Sequence, residues 1–259
     1  AKTAYNDESS YYRNLLNAGL NVEYQAQNFT LSAVTGYQHL KDRMFLDQDF
    51  TAKNTYTLEQ KQRINTISEE IVMKSKESHR WQWATGIFGF YQWLNTTAPV
   101  TFKEDGMAMM DQMLGNFIPA LVEVPMGPGR NMNIMPALKV TSARLPINGD
   151  FKTPLLIGAL FHQSTFRDLF GIDGVSFTAG LRLDYEKMKM DYNSGTAMDY
   201  TIGITGQMMM NGAPTGKPIA MMPDTALTGS SRYQGSISKD YLQLLPKFAL
   251  HYDFPKNLG

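Results

Sequence analysis

The 259 residues carry 24 basic and 24 acidic side chains, no cysteine and 43% apolar residues, with a mean hydropathy of −0.30 and a pI near 7.1. Balanced charge supplies no net basic field for nucleic acid or an anionic lipid surface, and the lack of thiols excludes disulfide frameworks, thiolate metal sites and cysteine nucleophiles. The longest apolar run, Pro154–Phe161, is too short for a spanning helix, yet a membrane β-strand meets lipid only at alternate residues, so low hydropathy does not exclude a barrel.

The opening AKTAYNDESS has no charged segment followed by an apolar stretch, so no signal peptide is expected there. Leu16, Ala18, Leu20, Val22, Tyr24 and Ala26 then alternate with Asn17, Gly19, Asn21, Glu23 and Gln25. After a break at Gln27-Asn28, Phe29, Leu31, Ala33, Thr35 and Tyr37 resume the pattern, predicting two strands and a tight turn. A strand is predicted over Arg63–Ser75, with a short turn at Glu77–His79. In Trp81–Trp93 one row holds Trp81, Trp83, Thr85, Ile87, Gly89, Tyr91 and Trp93. The ends of that row lie roughly 40 Å apart along a strand, or roughly 30 Å along the axis of a tilted barrel, which matches aromatic girdles at two membrane interfaces.

Thr97–Asn133 reads as a long loop holding a short helix at Met107–Phe117, followed by a Pro/Gly cluster at Pro125–Gly129. Further strands are predicted near Met135–Arg144 and over Leu155–Phe166, then a short connection, Asp168–Gly174. The clearest strand is Val175–Lys189, where Val175, Phe177, Ala179, Leu181, Leu183 and Tyr185 alternate with Ser176, Thr178, Gly180, Arg182, Asp184 and Glu186. Ser194–Asp240 reads as a second long loop. Pro246–Phe254 closes the series, with Phe248, Leu250, Tyr252 and Phe254 opposing Lys247, Ala249, His251 and Asp253. Short turns at one end and long loops at the other are a barrel trait. Gly19, Gly36, Gly86, Gly158 and Gly180 are expected on inward faces, with Gly89 an outward exception.

Four segments in order resemble the barrel region of TonB-dependent outer-membrane receptors. They are Thr35-Gly36-Tyr37 with Asp47-Gln48-Asp49-Phe50, then Ile67–Met73 with Trp81–Phe88, then Ala179–Glu186 (AGLRLDYE), then Leu244–Phe248 (LLPKF). The resemblance implies an all-β, antiparallel transmembrane β-barrel segment of about eight up-and-down strands with long extracellular loops, part of a 22-stranded barrel around a plug. It implies uptake of a large scarce nutrient (an iron-siderophore, haem, cobalamin or glycan), energised by the TonB complex through the plug, in the outer membrane of a Gram-negative bacterium. Outer-membrane lipids, the nutrient ligand and a capping lipoprotein are the implied partners. No plug is recognisable in residues 1–259, and the chain stops in an apparent turn at Pro255–Gly259, so the sequence reads as a partial barrel. A passive porin or barrel anchor or adhesin, and a soluble all-β glycan-binding domain, are the alternatives.

Catalytic and cofactor signals are poor. His39, His79, His162 and His251 lack metal-ligand spacing, with His162 and His251 expected inward. No phosphate loop, nucleophile elbow or dinucleotide fingerprint occurs, so no enzyme and no cofactor is expected. Asp42, Asp47 and Asp49 lack the glycine and distal glutamate of a calcium loop. Glu70, Arg182, Asp184 and Glu186 are expected to line the lumen or face the plug, because arginine against lipid costs about 2–4 kcal/mol at the midplane. Trp81, Trp83, Tyr91 and Trp93 form the expected girdle. The 17 methionines concentrate in the two long loops. Met107, Met110, Met113, Met132, Met209 and Met222 are candidate cargo contacts, since thioethers make adaptable apolar surfaces; packing within the loops and soft Cu(I) ligation are the other readings.

Overall fold

The computed structural model describes residues 5–47, 49, 51–78, 80–118 and 121–253. Twelve strands form one antiparallel sheet with a single α-helix among the described residues. The long strands are β1 (Ser10–Gln25), β2 (Phe29–Asp47), β3 (Tyr56–Ser75) and β4 (Trp81–Thr97). Then come β5 (Val100–Phe102), helix α1 (Glu104–Phe117), β6 (Val122–Gly127), β7 (Arg130–Val140), β8 (Leu145–Lys152) and β9 (Leu155–Arg167). The chain ends with β10 (Val175–Met210), β11 (Ala213–Pro214) and β12 (Ile219–Tyr252). Gln48, Phe50, His79 and Phe254–Gly259, to which some sequence expectations refer, lie outside the described residues.

Strands β1, β2, β3, β4, β9, β10 and β12 pair in that order as an up-and-down meander. The turns at 26–28, 76–80 and 168–174 all fall at one end. The first is closed by Ala26 N–H donating to the Phe29 carbonyl at 2.9 Å. The third uses the left-handed region at Asp168, Phe170, Gly171 and Gly174. The sheet has a single layer, and neither β1 nor β12 has a second neighbour among the described strands.

The far end corrects the expected count of about eight strands. Ser194–Asp240 is not a structureless loop. It is the distal half of a long hairpin, with β10 and β12 paired from Val175↔Tyr252 to Gly206↔Ile219. The turn is Asn211-Gly212, both at positive φ, with Met210 opposite Ala213. Asn-Gly is the strongest short hairpin signal, because both central residues of that turn must be left-handed. The expected loop Thr97–Asn133 holds β5, α1, β6 and the start of β7. Pro128-Gly129 makes the β6–β7 turn, with Gly127 opposite Arg130.

Helix α1 begins three residues before its predicted start. Its first-turn carboxylates hold Asn54: its N–H donates to Asp105 Oδ2, and its Nδ2 donates to Glu104 Oε2, both at 2.6 Å. Acidic groups there also complement the helix dipole. Gly106 lets the helix approach closely, since a Cβ would lie 2.3 Å from the Thr55 carbonyl. Asp49 organises the same loop by accepting from Thr51 N–H and Thr55 N–H, each at 2.9 Å. Those two backbone donors, Thr51 first, hold its carboxyl below the ordinary 3.8. A depressed folded value means its contribution to loop order is complete above 3.8 and lost as pH falls through the lower folded value. The Thr51 and Thr55 amide resonances are therefore expected to titrate together with a midpoint below 3.8, and not at all in Asp49→Asn; a midpoint at or above 3.8 would contradict this.

Candidate functional site

Paired residues in an antiparallel sheet share a face, so the register sorts every side chain. One face is apolar. A row across it reads Tyr24, Leu31, Met73, Thr85, His162, Leu181, Pro246. Another reads Leu183 against Leu160 and Leu244. Among the described residues nothing covers this face: Leu181 is 49% exposed and Leu250 72%. The buried hydrophobic residues, Met107, Leu145 and Ala159, form no continuous core beneath it.

The aromatic residues bound this face at both ends. Trp81 stacks on Phe166 with ring centroids 6.5 Å apart, and Tyr91 meets Trp93 edge-on at 4.4 Å. Trp83 shares the face, opposite Ser164. On β1, Tyr12 and Tyr24 are separated by the same twelve positions as Trp81 and Trp93. Tyr12 lies in the row of Thr97, four positions beyond Trp93; Tyr24 lies in the row of Thr85, four beyond Trp81. Both aromatic lines thus slide by four residues over three strand steps. Tyr185, two strands further on, lies in the row of Gly89, four positions back from Trp93.

His162 and Gly158 correct the expected facing. Both lie on the apolar face, His162 between Thr85 and Leu181 and Gly158 between Gly89 and Tyr185. Both rows of β9 contain apolar residues, so only its pairing decides the face. His162 Nε2 lies 3.2 Å from Ser164 Oγ, which also accepts from Trp81 Nε1 at 3.1 Å. His251 pairs with Ser176 on the polar face, as expected. Glu69 is a carboxylate in the middle of the apolar face, and it accepts a 2.5 Å hydrogen bond from Thr35 Oγ1.

The opposite face is mixed and polar. It carries Glu70, Arg182, Asp184 and Glu186 together, with Glu70 and Asp184 in one row through Phe88 and Ala159. Arg182 Nε donates to Asp184 Oδ1 at 2.7 Å, and its guanidinium sits 5.8 Å from the Phe161 ring centre. Phe161 in turn covers Gly86, where a Cβ would lie 2.5 Å from its ring. Positions Gly36, Gly86 and Gly180 are crowded, whereas Gly89 and Gly158 on the apolar face meet nothing within 4 Å. Gly19, also on the polar face, meets only an ordinary contact, the Thr35 carbonyl at 3.8 Å.

The six methionines singled out by sequence do not form one site. Met107 is buried in α1, Met110 is half-buried and Met113 exposed. Met132 pairs with Met208, while Met209, opposite Asn131, is on the other face. Met222 lies opposite Ile204. The structure instead gathers Met132 and Met221 over Gly206, whose Cβ position is 3.7 and 2.7 Å from their sulfurs. That is packing over a glycine, legible in the sequence only as a methionine-rich stretch. Asp42, Asp47 and Asp49 are also engaged separately: Asp42 lies 3.9 Å from Arg13, and Asp47 accepts from Asn6 and Asp7 N–H at 2.6 and 3.2 Å.

No protein-family model matches this chain, and a search of curated proteins finds none similar to it.

Proposed function

We propose that this chain is part of a transmembrane β-barrel, the barrel region of a TonB-dependent receptor that takes up a large scarce nutrient across the outer membrane. The observation that carries the membrane reading is the slope of the aromatic lines. Four residues at about 3.3 Å over three strand spacings of about 4.8 Å correspond to a tilt of about 40°. Membrane barrels tilt their strands by about 35–45°, so two sloping lines in the sheet become two level belts in the membrane. The uncovered apolar face between them supports contact with hydrocarbon. A sandwich strand has no reason to give the two aromatic lines the same offset between β1 and β4.

The free edges of β1 and β12 fit the same proposal. Unpaired N–H and C=O groups are not tolerated in lipid, so further strands are required to close the barrel, 22 in all by the receptor resemblance. Glu70, Arg182, Asp184 and Glu186 then face the lumen or plug. The AGLRLDYE and LLPKF segments, which favour a receptor over a porin, lie side by side: Leu181 pairs with Pro246, and Leu183 with Leu244. Cargo enters by the end carrying α1 and the β10–β12 hairpin.

The complete protein that contains this chain is expected to need detergent to stay monodisperse and to migrate as a heat-modifiable band; a monodisperse monomer in plain buffer overturns the membrane reading. Uptake in cells should stop when TonB is deleted. Uptake that continues without TonB would leave a passive porin instead.

A further inference from the structure

The zero net charge conceals a cluster. On the apolar side of the sheet, just past the hydrophobic band, Lys41 on β2 lies directly opposite Arg63 on β3, and Arg43 opposite Lys61. Adjacent members of the two rows are two residues apart along each strand, so all four cations project from the same face. Like charges directly opposite are destabilising, and here two such pairs are stacked. Glu59 is the carboxylate among them, 2.6 Å from Arg43 Nε and 3.0 Å from Lys61 Nζ. Among the described residues, the Lys41–Arg63 pair has no ion-paired carboxylate. Asp42, between Lys41 and Arg43, belongs to the opposite face and lies 3.9 Å from Arg13. The four cations line an open cavity of about 550 Å³, which Tyr12, Asn95 and the Asp42 carboxylate also border, so four cations face two carboxylates, Glu59 and Asp42, there.

The position of this cavity is specific. The upper aromatic line runs from Tyr12 on β1 to Trp93 on β4, dropping four positions on the way. Lys41 and Arg63, in the row of Asn95, fall on that line on the two strands between. The corresponding line at the other end crosses Phe29 and Ser75 and carries no cation on these strands. The cations therefore stand at one aromatic belt only, the one nearer the long connections.

The geometry points to a docking site for a phosphorylated lipid headgroup, with Lys41 and Arg63 as its primary contacts and Arg43 and Lys61 behind them. This rests on the membrane reading above, which sets the cavity at the level of the outer-leaflet headgroups. A phosphate supplies the missing counter-charge and accepts several charge-assisted hydrogen bonds, bidentate ones from arginine. An acyl chain of the same molecule would run down the apolar face past Asn65 and Ile67. A free phosphate satisfies the charge alone and gains nothing from that face.

The test uses the complete barrel protein that contains this chain, folded in detergent and titrated with bis-phosphorylated lipid A, its monophosphorylated form and inorganic phosphate, with bound lipid counted by native mass spectrometry. Lipid A is expected to bind, the monophosphorylated form several-fold more weakly, and inorganic phosphate not to compete at tenfold higher concentration. Lys41→Gln with Arg63→Gln should lose at least tenfold in lipid A binding while keeping the heat-modifiable band. Lys41→Arg with Arg63→Lys should retain binding, and Lys217→Gln at the hairpin tip should change nothing. If the double variant misfolds, the two single variants are compared in the same way. Unchanged lipid A binding in a folded variant overturns the site, and competition by inorganic phosphate at equal concentration overturns the lipid as its occupant. Either result leaves the detergent requirement intact, whereas a soluble monomer removes the membrane reading itself.

Discussion

Leu181→Arg is expected to prevent the sheet from assembling in a membrane, whereas Thr178→Arg, three residues earlier on β10, is expected to assemble. Leu181 sits mid-row on the apolar face between His162 and Pro246 and is half exposed. A guanidinium there costs about 2–4 kcal/mol against hydrocarbon, and it has no carboxylate beside it. Thr178 belongs to the polar face, between Thr165 and Ala249. Its substitution loses the 2.8 Å hydrogen bond to Thr165 Oγ1, a loss of about 1 kcal/mol. The measurement is folded yield and heat-modifiability after refolding into detergent. Equal yields for the two variants would refute the assignment of the faces.

The second large effect concerns two glycines three positions apart on β4. Gly86→Ala is expected to destabilise the sheet by about 1–3 kcal/mol, the usual cost of overpacking. The new Cβ would stand 2.5 Å from the Phe161 ring and 2.7 Å from the Ile71 carbonyl. The ring can rotate away, but it would leave its place beside Arg182, and the carbonyl is fixed in the ladder with β3. Gly89→Ala should be neutral or mildly stabilising, because nothing lies within 4 Å of its Cβ position and glycine weakens a strand by roughly 0.5–1 kcal/mol relative to alanine. Denaturant midpoints in detergent would compare the two. A Gly86→Ala protein as stable as Gly89→Ala would mean that the polar face is not the crowded side.

Alternation fixed several features in the sequence alone. The spacing of Leu16–Tyr24 and Phe29–Tyr37 located the first hairpin and its turn, and Val175–Tyr185 located the apolar half of β10. A side-chain period of two is a local property of the backbone, so no partner strand is needed to see it. That Trp81 and Trp93 share one face was legible for the same reason. Helix α1 was visible in the acidic start and apolar spacing of its own residues.

Tertiary structure decided the rest. Beyond Lys187 the apolar row of β10 gives way to Lys189, Asp191 and Asn193, so the pattern that marks a strand against an apolar phase ends while the strand continues. Pairing with β12 carries the strand across that polar stretch; alternation resumes on the other row at Met198, Tyr200, Ile202 and Ile204, and the Asn211-Gly212 turn is a second local sign. The face of His162 and Gly158 depended on the partners of β9. The basic cavity was invisible because Lys41 and Arg63 are 22 positions apart in a chain of zero net charge, and only the β2–β3 register sets them opposite one another. Local conformational preference is written residue by residue, whereas charge and packing are set by which residues the ladder brings across the sheet.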